Sequence, residues 1–112
     1  MSDAPRILVA EDDSRIRTIL ERFLGAAGYQ VTSCENGREA LDAFERDGPY
    51  DLVLTDVNMP ELGGDELLRR IKAVDPRLPV VVLTARNDPA LITELFKHDA
   101  YRYLTKPFTR ED

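Results

Sequence analysis

The chain has 112 residues, with 21 acidic against 15 basic side chains, a formal charge of −6 and a sequence pI ≈ 4.8. That length supports one compact domain, spanning 1–112, and leaves no room for a second. A 43% hydrophobic share beside 32% charged residues excludes wholesale disorder, and the acidic balance argues against direct nucleic-acid binding by this domain, which needs a basic surface.

No apolar run approaches the ~20 residues of a membrane-spanning helix. The amino-terminal MSDAPR has no apolar core of a secretory signal. The single cysteine, Cys34, has no partner for an internal disulfide, which suits a reducing compartment. The expectation is a soluble cytoplasmic domain without membrane contact.

Along the chain two periods alternate. Arg6-Ile7-Leu8-Val9-Ala10 is an apolar run that breaks into Glu11-Asp12-Asp13 and reads as a buried strand. From Ser14, Ile16, Ile19, Leu20, Phe23 and Leu24 recur at helical spacing, up to Gly25 or Gly28. Tyr29 to Cys34 is a strand, and Asn36-Gly37 opens a helix carrying Ala40, Leu41 and Phe44, with Asn36 as N-cap and Gly48-Pro49 as its close. Asp51 to Asp56 is a third strand, and a helix through Leu67, Leu68, Ile71 and Val74 follows Gly63-Gly64. Pro79 to Thr84 is the fourth strand; a fourth helix from Asp88 runs through Leu91, Ile92, Leu95 and Phe96; Tyr101 to Thr105 is the fifth strand.

Five βα units in this order predict a parallel sheet with right-handed crossovers, and continuous apolar strands predict helices on both faces. The fold class is a doubly wound α/β sandwich. Its last helix has only its first polar residues, Thr109 to Asp112. The expectation is therefore a domain cut from a longer protein, or one whose open face is filled by a second copy or another partner. Apolar surface on the first and fifth strands and on the first helix should then lie uncovered.

Ligands of such sheets bind at the carboxyl ends of the strands. Those ends deliver Glu11, Asp12 and Asp13, then Asp56, then Thr84, then Lys106. Carboxylates crowded together repel unless they share a cation. Magnesium suits them, because it takes hard oxygen ligands and leaves room for a phosphoryl oxygen. Lys106 adds a positive charge for an anion, and Thr84 a hydroxyl donor. Acidic residues after strands also cap helices. That reading fits Asp13, which directly precedes the first helix, but not Asp56, which is followed by Val57-Asn58-Met59-Pro60.

Ile7 to Asp13, Asp56-Val57-Asn58-Met59-Pro60, Leu83-Thr84-Ala85 and Lys106-Pro107-Phe108 resemble, in order and spacing, the four signatures of two-component response-regulator receiver domains. The resemblance implies a CheY-like, flavodoxin-like sheet of order 2-1-3-4-5. It implies that a histidine kinase or phosphotransfer protein phosphorylates Asp56. Magnesium would be held by Asp12 directly, by Glu11 through water, by Asp56, and by the backbone carbonyl of Asn58. Thr84 resembles the switch hydroxyl, Lys106 the lysine that contacts the phosphoryl group, Lys106-Pro107 a cis peptide, and Tyr103 the aromatic that turns inward on activation. The partner downstream would be an effector domain or protein target, and the domain a self-modifying phosphoacceptor rather than an enzyme.

Three positions depart from the pattern: Glu11 stands where aspartate is commoner, Gly63 where a polar residue is frequent, and Asp99-Ala100 where Gly-Ala is usual. Arg86 would lie beside the phosphoryl group and, with Asn58, tune access of the hydrolytic water. His98 reads as a solvent-side helix residue and Cys34 as a small buried apolar group. A phosphatase of the haloacid dehalogenase type would also use a strand-end aspartate and magnesium, but places a second aspartate where this chain has Asn58, which cannot act as a general acid or base. A degenerate receiver serving only as a binding module conflicts with the intact Asp56, Thr84 and Lys106. No glycine-rich nucleotide loop follows the first strand.

Overall fold

Arg6–Ala10 forms β1, and in the computed structural model it lies inside a parallel sheet whose strands follow the order β2-β1-β3-β4-β5. The other elements are α1 (Ser14–Ala26), β2 (Gln30–Cys34), α2 (Gly37–Asp47), β3 (Leu52–Asp56), α3 (Gly64–Val74), β4 (Val80–Thr84) and β5 (Arg102–Thr105). The structure describes residues 4–57, 59, 61–84 and 102–105. The expected fourth helix from Asp88, His98, Asp99-Ala100, the Lys106-Pro107 bond and the polar stretch Thr109 to Asp112 lie outside the described residues.

Helix starts follow local chemistry. Asp13 caps α1 through its side chain, and Asn36 caps α2 by accepting from the Glu39 N–H at 2.8 Å while its amide donates to the Glu39 carboxylate at 3.1 Å. Gly63 precedes α3 without a side-chain cap; there Asp65 and Glu66 sit in the first turn and complement the helix dipole.

Alternation along β1 divides the core in two. Leu8 and Ala10 face one cluster with Val53, Val80 and Val82 of the neighbouring strands, Ala40, Leu41 and Phe44 of α2, and Leu67, Leu68 and Ile71 of α3. Ile7 and Val9 face the other, with Leu54, Val81, Leu83 and Leu20 of α1. Helices therefore cover both faces, as the apolar strands require. One expectation is corrected here: β1 is not left uncovered, since Ile7 is 2% exposed and Leu8, Val9 and Ala10 are wholly buried. The reason is its place between β2 and β3, with α1 on one side and the α2–α3 layer on the other. Exposed apolar side chains do occur on α1, at Ile19 and Phe23.

At the amino-terminal end of the sheet Arg6 acts as a fastener. Its N–H donates to the Asp51 carboxylate at 2.7 Å, and its guanidinium donates to the carbonyls of Asp47 (2.7 Å) and Pro49 (2.8 Å). The same group lies 4.6 Å over the Tyr50 ring. The Gly48–Pro49 bond is cis.

Cys34 ends β2 inside the α2–α3 cluster, as a small buried apolar group should. Burial pushes its thiol up to about 11 from the ordinary 9.0. The folded state thus holds this proton more tightly than the unfolded chain. Its effect on stability is absent below pH 9.0 and destabilising as pH rises from there towards about 11. Alkylation with iodoacetamide at neutral pH is expected to be slow in the native protein and fast in urea. Equal rates in the two states would contradict the burial.

Candidate metal and phosphoacceptor site

The acidic run after β1 is parted by hydrogen bonding into different tasks. Glu11 extends the β1–β2 ladder by one step, its N–H donating to the Cys34 carbonyl at 3.0 Å. Its side chain is wholly buried, and Oε2 accepts from the Asp13 N–H at 3.1 Å. Asp13 turns the other way. Its Oδ1 accepts from the N–H groups of Arg15 at 2.8 Å and Ile16 at 3.4 Å, and the Arg15 N–H above all holds its carboxyl below the usual range. The capping reading of Asp13 stands. Asp12, between them, is exposed.

From β3 comes Asp56, only 7% exposed, with Oδ1 accepting from the Val57 N–H at 2.8 Å. This bond sets the plane of the carboxylate. The Thr55 hydroxyl donates to the Asp56 carbonyl at 2.9 Å, and α3 starts only at Gly64, so Asp56 caps no helix. Oxygens of Glu11, Asp12 and Asp56 lie within 4.8 Å of one another. Glu11 and Asp12 follow β1 and Asp56 ends β3, and the sheet order that places β1 beside β3 brings them together.

The set fits a small divalent cation. All three donors are hard carboxylate oxygens, and two of the three residues are buried, where like charges left uncompensated are most costly. Thr84 ends β4 next to this edge: Asp56 pairs with Leu83, and the Val57 N–H donates to the Leu83 carbonyl at 3.2 Å. Tyr103 pairs with Val82 from β5. Asn58, Arg86 and Lys106 lie outside the described residues.

Two glycines shape the loop after Asp56. A Cβ on Gly64 would stand 2.0 Å from the Asp56 carbonyl oxygen, and one on Gly37 would stand 1.9 Å from the Leu62 carbonyl oxygen. The Gly64 N–H donates to the Val57 carbonyl at 2.8 Å, and Glu61 turns the loop at φ 73°. Met59 and Leu62 pack on the α2–α3 cluster. Sequence reasoning had no means of finding these contacts, because glycine-tolerant and glycine-requiring positions look alike in one sequence. It also missed Arg17, whose Nη1 donates to the Glu11 carbonyl at 2.8 Å.

The family model for the response regulator receiver domain matches residues 7–112. The chain belongs to the response-regulator receiver family. This receiver is 42% identical over 102 residues to the DNA-binding transcriptional regulator NtrC of Escherichia coli, covering 91% of the chain but 22% of that protein. It is 45% identical over 107 residues to the transcriptional regulatory protein YkoG of Bacillus subtilis, covering 95% of the chain and 46% of that protein. The receiver thus spans less than half the length of either relative. Among solved structures it superposes on the Vibrio cholerae chemotaxis protein CheY4 with a TM-score of 0.89 at 31% identity, covering 96% of this chain and 91% of that one. It superposes equally on the receiver domain of a sensor histidine kinase from Pseudomonas aeruginosa, solved with magnesium coordinated in its active-site cleft. That match has a TM-score of 0.87 at 33% identity and covers 96% of this chain and 89% of the other. The receiver is a signalling domain of two-component systems with a CheY-like α/β fold. Among the described residues no helix is long and apolar enough to cross a membrane.

Proposed function

We propose that this receiver is a magnesium-dependent phosphoacceptor whose modified residue is Asp56, with the cation held by Glu11, Asp12, Asp56 and the carbonyl of Asn58. The observation that carries the reading is the convergence of the three carboxylates within 4.8 Å at the carboxyl edge of the sheet. The magnesium in the Pseudomonas receiver's cleft supports the choice of cation.

In the proposed step an Asp56 carboxylate oxygen attacks the phosphorus of a phosphohistidine on a partner kinase or phosphotransfer protein. The new P–O bond replaces the P–N bond, and the imidazole leaves with the electron pair and takes up a proton. A bound magnesium supplies charge neutralisation for the equatorial oxygens of the transferring group. The Val57 N–H holds the carboxylate in one plane while the donor approaches. Lys106 adds the second positive charge, and Thr84 donates its hydroxyl to the new acyl phosphate. Inward movement of Thr84 vacates space for Tyr103, so that one modification biases two packings of the β4–β5 face. Arg86 and Asn58 govern access of the water that reverses the modification.

The domain acts in the cytoplasm as a phosphoacceptor, not as a turnover enzyme. Its output is an effector domain or protein target, in keeping with relatives that are transcriptional regulators longer than this chain. Incubation with magnesium and a small acyl-phosphate donor, read by intact mass, is expected to give one phosphoryl adduct. Asp56→Asn, or wild type with the divalent cation chelated, is expected to give none. An adduct that survives Asp56→Asn, or its absence from wild type, would refute the assignment.

A further inference from the structure

We infer that Arg17 is a positioning residue for the acidic pocket, holding the peptide between Glu11 and Asp12 so that both carboxylates are preset for a divalent cation. The inference rests on the phosphoacceptor reading above and names a part of the site that its ligands do not include.

Each buried carboxylate of the pocket has a direct anchor. Glu11 is held by the Asp13 N–H at 3.1 Å, and Asp56 by the Val57 N–H at 2.8 Å. Asp12 is the exposed member of the trio. The direction in which its side chain leaves the backbone depends on the plane of the peptide before it. That peptide's carbonyl, the Glu11 oxygen, accepts from the Arg17 guanidinium at 2.8 Å. The N–H of Glu11, one peptide earlier, is fixed by Cys34 at 3.0 Å. Rotation of the Glu11–Asp12 peptide therefore requires breaking a charge-assisted bond from a half-buried guanidinium.

Arg17 is itself well placed to be rigid. It sits in the first turn of α1, and its own N–H donates to the Asp13 carbonyl at 2.9 Å. It thus grips the loop from both sides, by backbone at Asp13 and by side chain at Glu11. Arg15 offers the contrast. Its guanidinium lies 3.5 Å from the Asp13 carboxylate with the side chain 88% exposed, an arrangement that solvent screens. Outer residues that orient metal ligands typically change affinity by about 10–100-fold when removed.

The test is calorimetric titration of magnesium alone into wild type, Arg17→Met, Arg17→Lys, Arg15→Met and Asp12→Asn, with amide hydrogen exchange of the metal-free proteins. Arg17→Met keeps the aliphatic stem and is expected to weaken magnesium binding roughly tenfold. Arg17→Lys, which keeps a charged donor, should fall nearer wild type, and Arg15→Met should match it. Exchange at the Asp12 and Asp13 amides should quicken in Arg17→Met while β3 stays protected. A merely stabilising arginine would lower the folded fraction yet leave affinity per folded molecule unchanged, and that result overturns the inference alone. Wild type that binds no magnesium overturns the cation site and the inference together.

Discussion

Gly64→Ala is expected to destabilise the domain by roughly 3 kcal/mol, the upper end of overpacking costs, and to depress phosphorylation of Asp56 together with it. The added Cβ would sit 2.0 Å from the Asp56 carbonyl oxygen, 2.9 Å from its carbon and 3.0 Å from the Val57 Cα. All three are backbone atoms, so no side-chain rotation relieves the overlap. Either α3 withdraws its amino terminus or the end of β3 moves, and both change where the Asp56 carboxylate stands. Gly37→Ala meets the Leu62 carbonyl oxygen at 1.9 Å and should behave similarly from the other side of the loop. Gly25, in α1, provides the control: nothing lies within 4 Å of its added Cβ, and alanine there should stabilise by about 0.5–1 kcal/mol. Urea unfolding and the intact-mass assay on the same three variants check this. A Gly64→Ala protein as stable and as readily phosphorylated as wild type would mean that the close approach is not real.

Leu67→Ala carries the second large effect, a loss of about 2–5 kcal/mol. Leu67, Leu68 and Ile71 are wholly buried and form the stripe by which α3 rests on β3 and β4. Truncation removes apolar contact and leaves a void that close-packed neighbours fill only in part. Val74, on the same helix but 71% exposed, should tolerate alanine within about 0.5 kcal/mol. Equilibrium urea curves with unchanged slope and a shifted midpoint are the expected signature. Comparable midpoints for the two variants would show that α3 is not docked through this stripe.

Much of the fold was legible because it depends on periodicity. Strands and helices begin within a residue of their expected places wherever a capping side chain or an apolar run marks them, as at Asp13, Asn36 and Ile7. The second strand begins at Gln30 rather than at the expected Tyr29, since β pairing with Arg6 starts there. The acidic trio was legible for a similar reason: strand ends can be read, and topology then decides which ends meet. What stayed hidden depends on backbone approach rather than residue type. The contacts at Gly37 and Gly64, the Arg17 bond to the Glu11 carbonyl and the positive φ at Glu61 have no pattern in one sequence. The first strand, expected to expose apolar surface, is buried instead. The expectation failed because a central strand owes its burial to neighbours on every side.

The Arg6 fastener makes the two ends of the sheet chemically unequal. At the amino-terminal end the Arg6 guanidinium is held by two backbone carbonyls and an aromatic face, while its backbone N–H meets the Asp51 carboxylate. At the carboxyl end the carboxylates of Glu11, Asp12 and Asp56 gather within 4.8 Å of one another. Among the described residues the two poles therefore differ, a bonded arginine at one and clustered carboxylates at the other. On the proposed function, a change in divalent ion or in modification would be felt first along the carboxyl edge, with the Arg6 end as the frame against which that edge shifts.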